Sequence, residues 1–299
     1  MNSLTHTYGS KTDIGRVRKH NHDCLAAVDS LTLEGRLDGL FVVADGIGGS
    51  KGGGVASRIA IETVCATVCA VSPDSPALGK PSWLGDIAHA SLQAANAAVW
   101  QETRRVPTLQ GMGTTCVLAL LRDDQVVVGN VGDSRCYLFR ENRLHQLTHD
   151  HAFLDAGGGS RDSEESAGAR VQFRHVMTRA IGFASRVEPE VELFTLQNGD
   201  TLLLCSDGLS NLLTSEAIHE IIAGDASPQE LCKRLVDAAN QQGGDDNITA
   251  ILIQYGKAPD PDPAEASPLS SKPVVQEDAS AAANPARSWR ARLGRLLGR

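Results

Sequence analysis

The chain has 299 residues, of which 41% are hydrophobic and 21% charged, and this length is ample for a closed core. The formal net charge of −8 argues against nucleic acid as the main partner. No run approaches the roughly 20 apolar residues that span a bilayer, and the first residues have no apolar core, so we expect a cytoplasmic protein without a signal peptide. Seven cysteines without a C-x-x-C pair predict reduced, buried thiols.

The first half of the chain reads as two strands followed by two helices. Apolar runs at 24–28 and 40–44 predict strands. Apolar residues at helical spacing predict helices over 55–71 and 84–105, and a proline follows each of them as a stop.

The second half begins with strands and ends with helices and one last strand. An Asp-Asp pair at 123–124 predicts a tight turn between two of the strands. The polar, Gly/Ser-rich residues 149–170 predict a mobile surface loop or flap. The predicted strands are 114–121, 125–131, 134–139, 191–196, 201–205 and 247–254, and the predicted helices are 208–222 and 228–241. Helices in two separate blocks, without strand–helix alternation, favour an α+β architecture in which helices cover antiparallel sheets.

The composition changes near the end of the chain. We expect one catalytic domain over residues 7–256. Residues 257–286 are rich in Pro, Ala and Ser and predict a disordered linker. Residues 287–299 carry five arginines and no acid, with Trp and Leu at helical spacing. As a helix this tail would suit an anionic membrane surface or an acidic partner, and a frayed, solvated tail is the alternative.

Four aspartates stand beside apolar strands and next to a glycine or a turn. They are Asp45, Asp133, Asp207 and Asp246. A single Asp at a strand end is usually only a turn, with the side chain bonded to its own backbone. Four of them can converge, and converging carboxylates repel one another unless a cation lies between them. Hard divalent cations prefer such oxygen ligands, so the pattern predicts a Mg²⁺ or Mn²⁺ site.

Two further segments are polar in ways that could serve a phosphate. The run 12–23 contains Arg16 and Arg18, and the planar fork of an arginine matches phosphate oxygens, although a solvated basic turn explains the same run. The glycine-rich stretch 45–57 satisfies neither the Walker pattern nor G-x-G-x-x-G. It indicates a tight strand-to-helix connection in which small residues let the backbone approach a metal or a phosphate.

Taken in order, these segments resemble the bacterial-type metal-dependent Ser/Thr protein phosphatases of the type 2C family. The resemblance covers about residues 7–255 and is carried by eight motifs. They are D-x-G-x-V-R-x-x-N-x-D (13–23), A-D-G-I-G-G (44–49), G-x-G-T-T (111–115), G-N-V-G-D-S-R (129–135), L-T-x-D-H (147–151), T-R-A-I-G (178–182), L-C-S-D-G-L (204–209) and G-x-D-N-I-T (244–249). The resemblance implies a sandwich of two antiparallel β-sheets flanked by helices on both outer faces.

The resemblance also implies a set of metal ligands for two Mn²⁺ or Mg²⁺ ions and a weaker third. Asp45 would bridge the two main ions, and the carbonyl of Gly46 would bind one of them. Asp207 and Asp246 would complete the first ion. Asp133, together with Asp207, would hold the third.

Residues around these ligands have implied roles as well. Arg18 would grip the substrate phosphate, Asp23 would orient the attacking water, and Asn247 would lie beside the ligands. His22 replaces the Glu or Gln of many members, and it could reach a metal or its water or simply be an accommodated neighbour. Ile47 stands where animal members carry a proposed general acid, so the leaving group would take its proton from a water at the metals.

The implied activity is hydrolysis of phosphoSer and phosphoThr in proteins by a water that two metals activate, opposing a bacterial Ser/Thr kinase. The expected partners are phosphoprotein substrates and that kinase, and the chain is expected to be a monomer. One alternative is a non-catalytic module on the same fold that binds phosphoproteins or senses metal. Another alternative is a different metal hydrolase, such as a nucleotide phosphatase. Assays with a panel of phosphopeptides and nucleotides would distinguish it from a protein phosphatase.

Overall fold

The computed structural model describes residues 6–30, 32–33, 35–48, 52–72, 80, 82–156, 173–256 and 274–275. Its strands are β1 (His6–Asp13), β2 (Cys24–Asp29), β3 (Gly39–Ala44), β4 (Gly46–Ile47), β5 (Gly113–Thr114), β6 (Cys116–Arg122), β7 (Gln125–Val131), β8 (Arg135–Arg140), β9 (Arg143–Gln146), β10 (Ala152–Ala156), β11 (Phe173–Met177), β12 (Glu190–Thr195), β13 (Thr201–Cys205), β14 (Ile248–Tyr255) and β15 (Val274–Val275). Its α-helices are α1 (Gly52–Cys69), α2 (Trp83–Arg105), α3 (Asp207–Ser210), α4 (Ser215–Ile222) and α5 (Pro228–Gln241), and a short 3-10 helix spans Pro107–Leu109.

Two antiparallel sheets form the centre of the molecule. The first sheet has the strand order β1-β14-β13-β8-β9, and the second has the order β12-β7-β6-β3-β2-β15. Two small two-stranded sheets, β4-β5 and β10-β11, lie outside them. Asp123 and Asp124 make the predicted turn between β6 and β7, with Asp123 in the left-handed region at φ 54°.

Each central strand contributes side chains to two different cores, as the period of two requires. In β3, Phe41 and Val43 face the layer between the sheets, whereas Leu40 and Val42 face the helices on the outside. In β13, the leucines at 202 and 204 belong to the layer between the sheets, and Leu203 faces the opposite outer helices. Because these strands are buried on both faces, each sheet must be covered by the other sheet on one side and by helices on the other.

Helices cover both outer faces of the sandwich. α1 and α2 pack against each other and over the sheet that contains β3, and α4 and α5 cover the sheet that contains β14. The predicted fold class, two antiparallel sheets flanked by helices on both sides, is confirmed. None of the helices in the part of the chain that the structure describes is long and apolar enough to cross a membrane.

The prediction missed several strands and gave one helix the wrong extent. β1 was not predicted, although it pairs with β14 along eight residues. The single helix predicted at 208–222 is two helices, because Thr214 ends the connection between them and caps α4 by accepting a hydrogen bond from the amide of Ala217 at 3.3 Å.

Strand residues occur in two segments that were predicted without any, the loop 149–170 and the linker 257–286. Within the loop, β10 pairs with β11 in register, which corrects the prediction for 152–156, and residues 157–172 lie outside the described residues. Within the linker, β15 pairs with β2, Val274 opposite Ala27. The rest of the linker and the whole tail 287–299 lie outside the described residues.

Candidate active site

The predicted ligands gather at one end of the sandwich because the strand register brings their strand ends together. Cys24 at the start of β2 pairs with Ala44 at the end of β3, so Asp23 and Asp45 are neighbours. In the other sheet, Cys205 at the end of β13 pairs with Ala250 near the start of β14. Consequently Asp207 and Asp246, which extend those two strands, lie at the same end.

Two threonines hold the backbone of Asp45 at the end of β3. The amide of Asp45 donates to Thr115 Oγ1 at 2.9 Å, and its carbonyl accepts from Thr114 Oγ1 at 2.7 Å. Thr115 Oγ1 also lies 2.7 Å from Ser134 Oγ, which belongs to the segment next to Asp133. The carboxylate of Asp45 therefore projects from a backbone that is fixed on both sides.

Asp23 joins the two sheets at the base of the site. Its Oδ2 accepts hydrogen bonds from Ser206 Oγ at 2.8 Å and from Thr249 Oγ1 at 2.7 Å, and both hydroxyls come from the opposite sheet. The side chain is buried, with 7% of its surface exposed. The hydroxyls that hold Asp23 and Asp45 lie in motifs that the sequence showed, but sequence reasoning gave them no role.

The carboxylates are close enough to oppose one another's ionisation. Burial, followed by the negative charges of Asp23 and Asp207, raises the pKa of Asp45 well above its ordinary value. Burial is also the main reason that the pKa of Asp23 rises to about 7, and the charges of Asp207 and Asp246 add to it. Such a cluster is stable in its ionised form only when positive charge is supplied.

The donor set fits a hard divalent cation. It consists of carboxylate and carbonyl oxygens, the ligands that Mg²⁺ and Mn²⁺ take. Among the described residues, Asp23 Oδ1 and Asp133 Oδ1 are buried without a hydrogen-bond partner, which is costly unless a cation or water serves them. A Cβ on Gly46 would overlap the carbonyl group of Gly53 in α1 and would fall 2.7 Å from the carbonyl oxygen of His22. Only glycine fits at this point.

Asp133 stands apart from the main cluster on a loop after β7. Gly132, at φ 113°, turns the chain, and both its amide and its carbonyl bond to His151, at 3.1 and 2.9 Å. Burial, together with the charge of Asp207, raises the pKa of Asp133 to about 7. Asp133 thus interacts electrostatically with Asp207, as the predicted third position requires.

Arg18 lies at the rim of the cluster, on the loop between β1 and β2. Its Nη2 is 2.5 Å from Asp246 Oδ2, and 54% of its side chain is exposed. Asn247 holds this loop, because its Nδ2 donates to the carbonyls of Ile14 and His20 at 2.9 and 3.0 Å. The guanidinium is therefore held at the edge of the cluster, with about half of the side chain open to solvent.

His22 is fixed through its backbone and rests on the first turn of α1. Its amide donates to Asn247 Oδ1 at 2.7 Å, and its carbonyl accepts from Ser57 Oγ at 2.6 Å. Its ring lies against Gly53 and Gly54, where a Cβ would be 2.9 and 3.5 Å from ring atoms. This placement favours the interpretation of His22 as a packed neighbour of the Gly46 backbone.

Comparison with known proteins agrees with this geometry. The model of the protein phosphatase 2C family matches residues 18–252. Serine/threonine phosphatase stp of Listeria monocytogenes serotype 4b is 32% identical over 244 residues, which are 82% of this chain and 94% of the relative. Protein phosphatase PhpP of Streptococcus pneumoniae is 31% identical over 248 residues, which are 82% of this chain and 96% of the relative.

Solved structures show the same fold. The serine/threonine phosphatase of S. agalactiae superposes with a TM-score of 0.69 at 28% identity, over 83% of this chain and 99% of that one. The catalytic domain of PstP, solved in complex with 2 manganese ions, superposes with a TM-score of 0.67 at 28% identity, over 85% of this chain and all of that one. The chain belongs to the protein phosphatase 2C family. Its class is that of the metal-dependent protein serine/threonine phosphatases.

Proposed function

We propose that this chain hydrolyses phosphoserine and phosphothreonine in proteins at a centre of two divalent cations, Mn²⁺ or Mg²⁺. Asp45, Gly46, Asp207 and Asp246 would hold the two ions, and Asp133 would hold a weaker third. The observation that carries the proposal is the convergence of carboxylates from both sheets, with the pKa of Asp45 raised by burial and then by its acidic neighbours. Divalent cations there would make a water nucleophilic near neutral pH and neutralise charge on the phosphoryl group.

The protein's own residues position the substrate and keep the ligands in place. Arg18 is half-exposed beside Asp246, and a guanidinium at this distance can exchange one carboxylate contact for two phosphate oxygens. Asn247 keeps the loop of Arg18 against β14. Asp23 has one oxygen bound by hydroxyls and the other free of them, so it can accept a proton or a hydrogen bond at the base of the site.

β4 supplies no side chain that could protonate the leaving group. Ile47 follows Gly46 on that strand, and its side chain cannot donate a proton. The seryl or threonyl oxygen would therefore be protonated by water at the centre. Aryl phosphates have leaving groups that need no proton. This arrangement therefore predicts that their hydrolysis depends little on a general acid at position 47.

The wider biological setting is part of the same proposal. Residues 7–256 would be the catalytic domain, and it would act as a cytoplasmic monomer against a Ser/Thr kinase. The tail 287–299, with five arginines, would contact an anionic membrane surface or an acidic partner. Co-sedimentation with anionic liposomes, with and without residues 287–299, tests the tail separately from the catalysis.

Turnover of a phosphothreonine peptide and of p-nitrophenyl phosphate tests the proposal. We expect activity with Mn²⁺, loss of activity with EDTA, and loss in both Asp45→Asn and Asp207→Asn. Asp123→Asn, an exposed turn residue far from the cluster, is the matched control and should retain full activity. Activity that survives chelation and both substitutions would refute the metal mechanism. Peptide binding without turnover would favour a non-catalytic module.

A further inference from the structure

An exposed aromatic ring lies beside the ligand cluster and has no role in the mechanism above. Only three large hydrophobic side chains are exposed among the described residues, Val17, Phe183 and Leu193. Phe183 is 45% exposed although it follows directly on a buried segment, Ala180 to Gly182. A single exposed apolar side chain needs no explanation, so the meaning of Phe183 depends on what lies beside it.

The backbone on both sides of Phe183 is held by one buried side chain. Asn96 of α2, 2% exposed, accepts the amide of Gly182 at 2.8 Å and donates to the carbonyl of Ala184 at 3.1 Å. Gly182 is in the left-handed region at φ 88°, so the chain turns there and directs Phe183 outward. The ring is thus presented by a fixed turn.

The ring occupies the position that a side chain of Gly113 would take. An ideal Cβ on Gly113 would lie 2.6 Å from Phe183 Cδ1. Gly113 pairs with Ile47 across β5 and β4, and directly opposite residues of an antiparallel pair project to the same face about 5 Å apart. The ring of Phe183 and the side chain of Ile47 therefore form one surface, here called the Phe183 patch.

The Phe183 patch begins two residues from Asp45. Ile47 follows Asp45 and Gly46 on an extended strand, at roughly 3.3 Å per residue. The patch therefore lies within roughly 10 Å of the ligand cluster, which an extended peptide spans in two or three residues. Arg18 belongs to a different loop, between β1 and β2, and pairs with Asp246.

We propose that the Phe183 patch is a substrate subsite that takes an apolar side chain within three residues of the phosphoserine or phosphothreonine. The inference rests on the proposed phosphatase function and adds a sequence preference to it. A half-exposed ring and an isoleucine can remove only part of a leucine from water, so we expect a preference of about five- to tenfold in kcat/KM.

The test compares phosphothreonine peptides that carry Leu or Ala at each position from three before to three after the phosphorylated residue. The Mn²⁺-loaded full-length protein should prefer Leu at one position. Phe183→Ala should lose this preference, Phe183→Leu should keep most of it, and Leu193→Ala, a 51%-exposed control on β12, should not change it. Activity on p-nitrophenyl phosphate, which has no flanking residues, should stay within twofold in all of them.

The outcomes separate the subsite from the catalytic function. The subsite is wrong if the wild-type protein shows no Leu preference, or if Phe183→Ala keeps it. It is equally wrong if Phe183→Ala lowers p-nitrophenyl phosphate turnover as much as peptide turnover, since the ring would then be structural. A wild-type protein that turns over p-nitrophenyl phosphate but no phosphopeptide would refute both the subsite and the protein-phosphatase function.

Discussion

Two neighbouring glycines at the start of α1 offer a sharp test of how the cluster is built, because only one of them touches it. A Cβ on Gly53 would lie 2.7 Å from the carbonyl carbon of Gly46 and 2.9 Å from His22 Nδ1. A Cβ on Gly54 would lie 3.5 Å from the ring of His22 and 3.8 Å from the carbonyl oxygen of Asn21, which are ordinary contacts. Gly53→Ala and Gly54→Ala therefore make the same chemical change in the same helical turn.

The two substitutions should change stability in opposite directions. Alanine is preferred to glycine in a helix by about 0.5–1 kcal/mol, and Gly54→Ala should gain up to this amount. At Gly53 the added methyl group falls well inside the contact limit of 3.4 Å against backbone atoms, which cannot rotate away. Overpacking of this kind costs about 1–3 kcal/mol. The gain of alanine over glycine in a helix applies at both positions, so the two variants should differ by the overpacking cost, about 1–3 kcal/mol.

Activity should separate the two variants further. Relieving the contact at Gly53 displaces the carbonyl of Gly46, the proposed ligand, by a large fraction of an ångström. A misplacement of this size costs up to about 100-fold in rate, and we expect at least a tenfold higher Mn²⁺ concentration for half activation. Gly54→Ala should keep the wild-type value.

Urea unfolding in EDTA measures the stability difference, and a Mn²⁺ titration of p-nitrophenyl phosphate turnover measures the activation. Equal stability of the two variants would show that the backbone contact between α1 and β4 is not as close as described. A destabilised Gly53→Ala with normal Mn²⁺ activation would show that the Gly46 carbonyl is not a ligand.

Three further predictions address the loop, the third position and the scaffold. Asn247→Ala frees the loop of Arg18 and should raise KM for a phosphopeptide about tenfold or more, whereas an unchanged KM in steady-state kinetics would exclude this positioning role. Burial raises the pKa of Asp133 from 3.8 to about 7, so in EDTA the wild-type protein should lose stability as the pH rises between these values. Asp133→Asn should remove the share of this loss that Asp133 causes, a gain on the order of 4 kcal/mol at pH 8 that shrinks toward pH 4, whereas the shares of Asp23 and Asp45 remain. A gain that is independent of pH in urea unfolding would contradict the assignment. Arg140→Ala leaves the buried carboxylate of Asp200, now 2.6 Å from the guanidinium, without its partner. It should cost about 3–5 kcal/mol in urea unfolding while kcat stays unchanged, and a selective loss of kcat would be inconsistent with a purely structural pair.

The buried strands could be predicted because their sequences carry the signal by themselves. β7 and β13 were predicted with their observed bounds, since each is a short apolar run between polar turns. The candidate site residues could be proposed for the same reason, because each of the four aspartates adjoins such a run. The ordered motifs then supplied their roles, which spacing alone could not.

Other elements could not be predicted because tertiary contacts determine them. β1 is polar, with the sequence HTYGSKTD, and it becomes a strand because β14 offers it eight paired residues. β9 has four residues and is mostly exposed, so its pairing with β8 leaves almost no trace in hydrophobicity. The hydroxyls that hold Asp23 come from the opposite sheet, a proximity that exists only in the folded chain.

The proposed role of Phe183 also depends on the structure. In the sequence it is one aromatic residue after a glycine. Its meaning depends on Gly113, about seventy positions earlier, which leaves the space that its ring fills. No local pattern connects the two residues.

The central claim is that the clustered aspartates hold two divalent cations, and a Mn²⁺ binding titration followed by electron paramagnetic resonance tests it directly. Free Mn²⁺ gives a strong signal that is lost on binding, so the titration counts the ions. We predict two tightly bound ions per wild-type chain and a weaker third, loss of tight binding in Asp45→Asn, and loss of only the weak ion in Asp133→Asn. Equal binding by the wild-type and Asp45→Asn proteins would contradict the account.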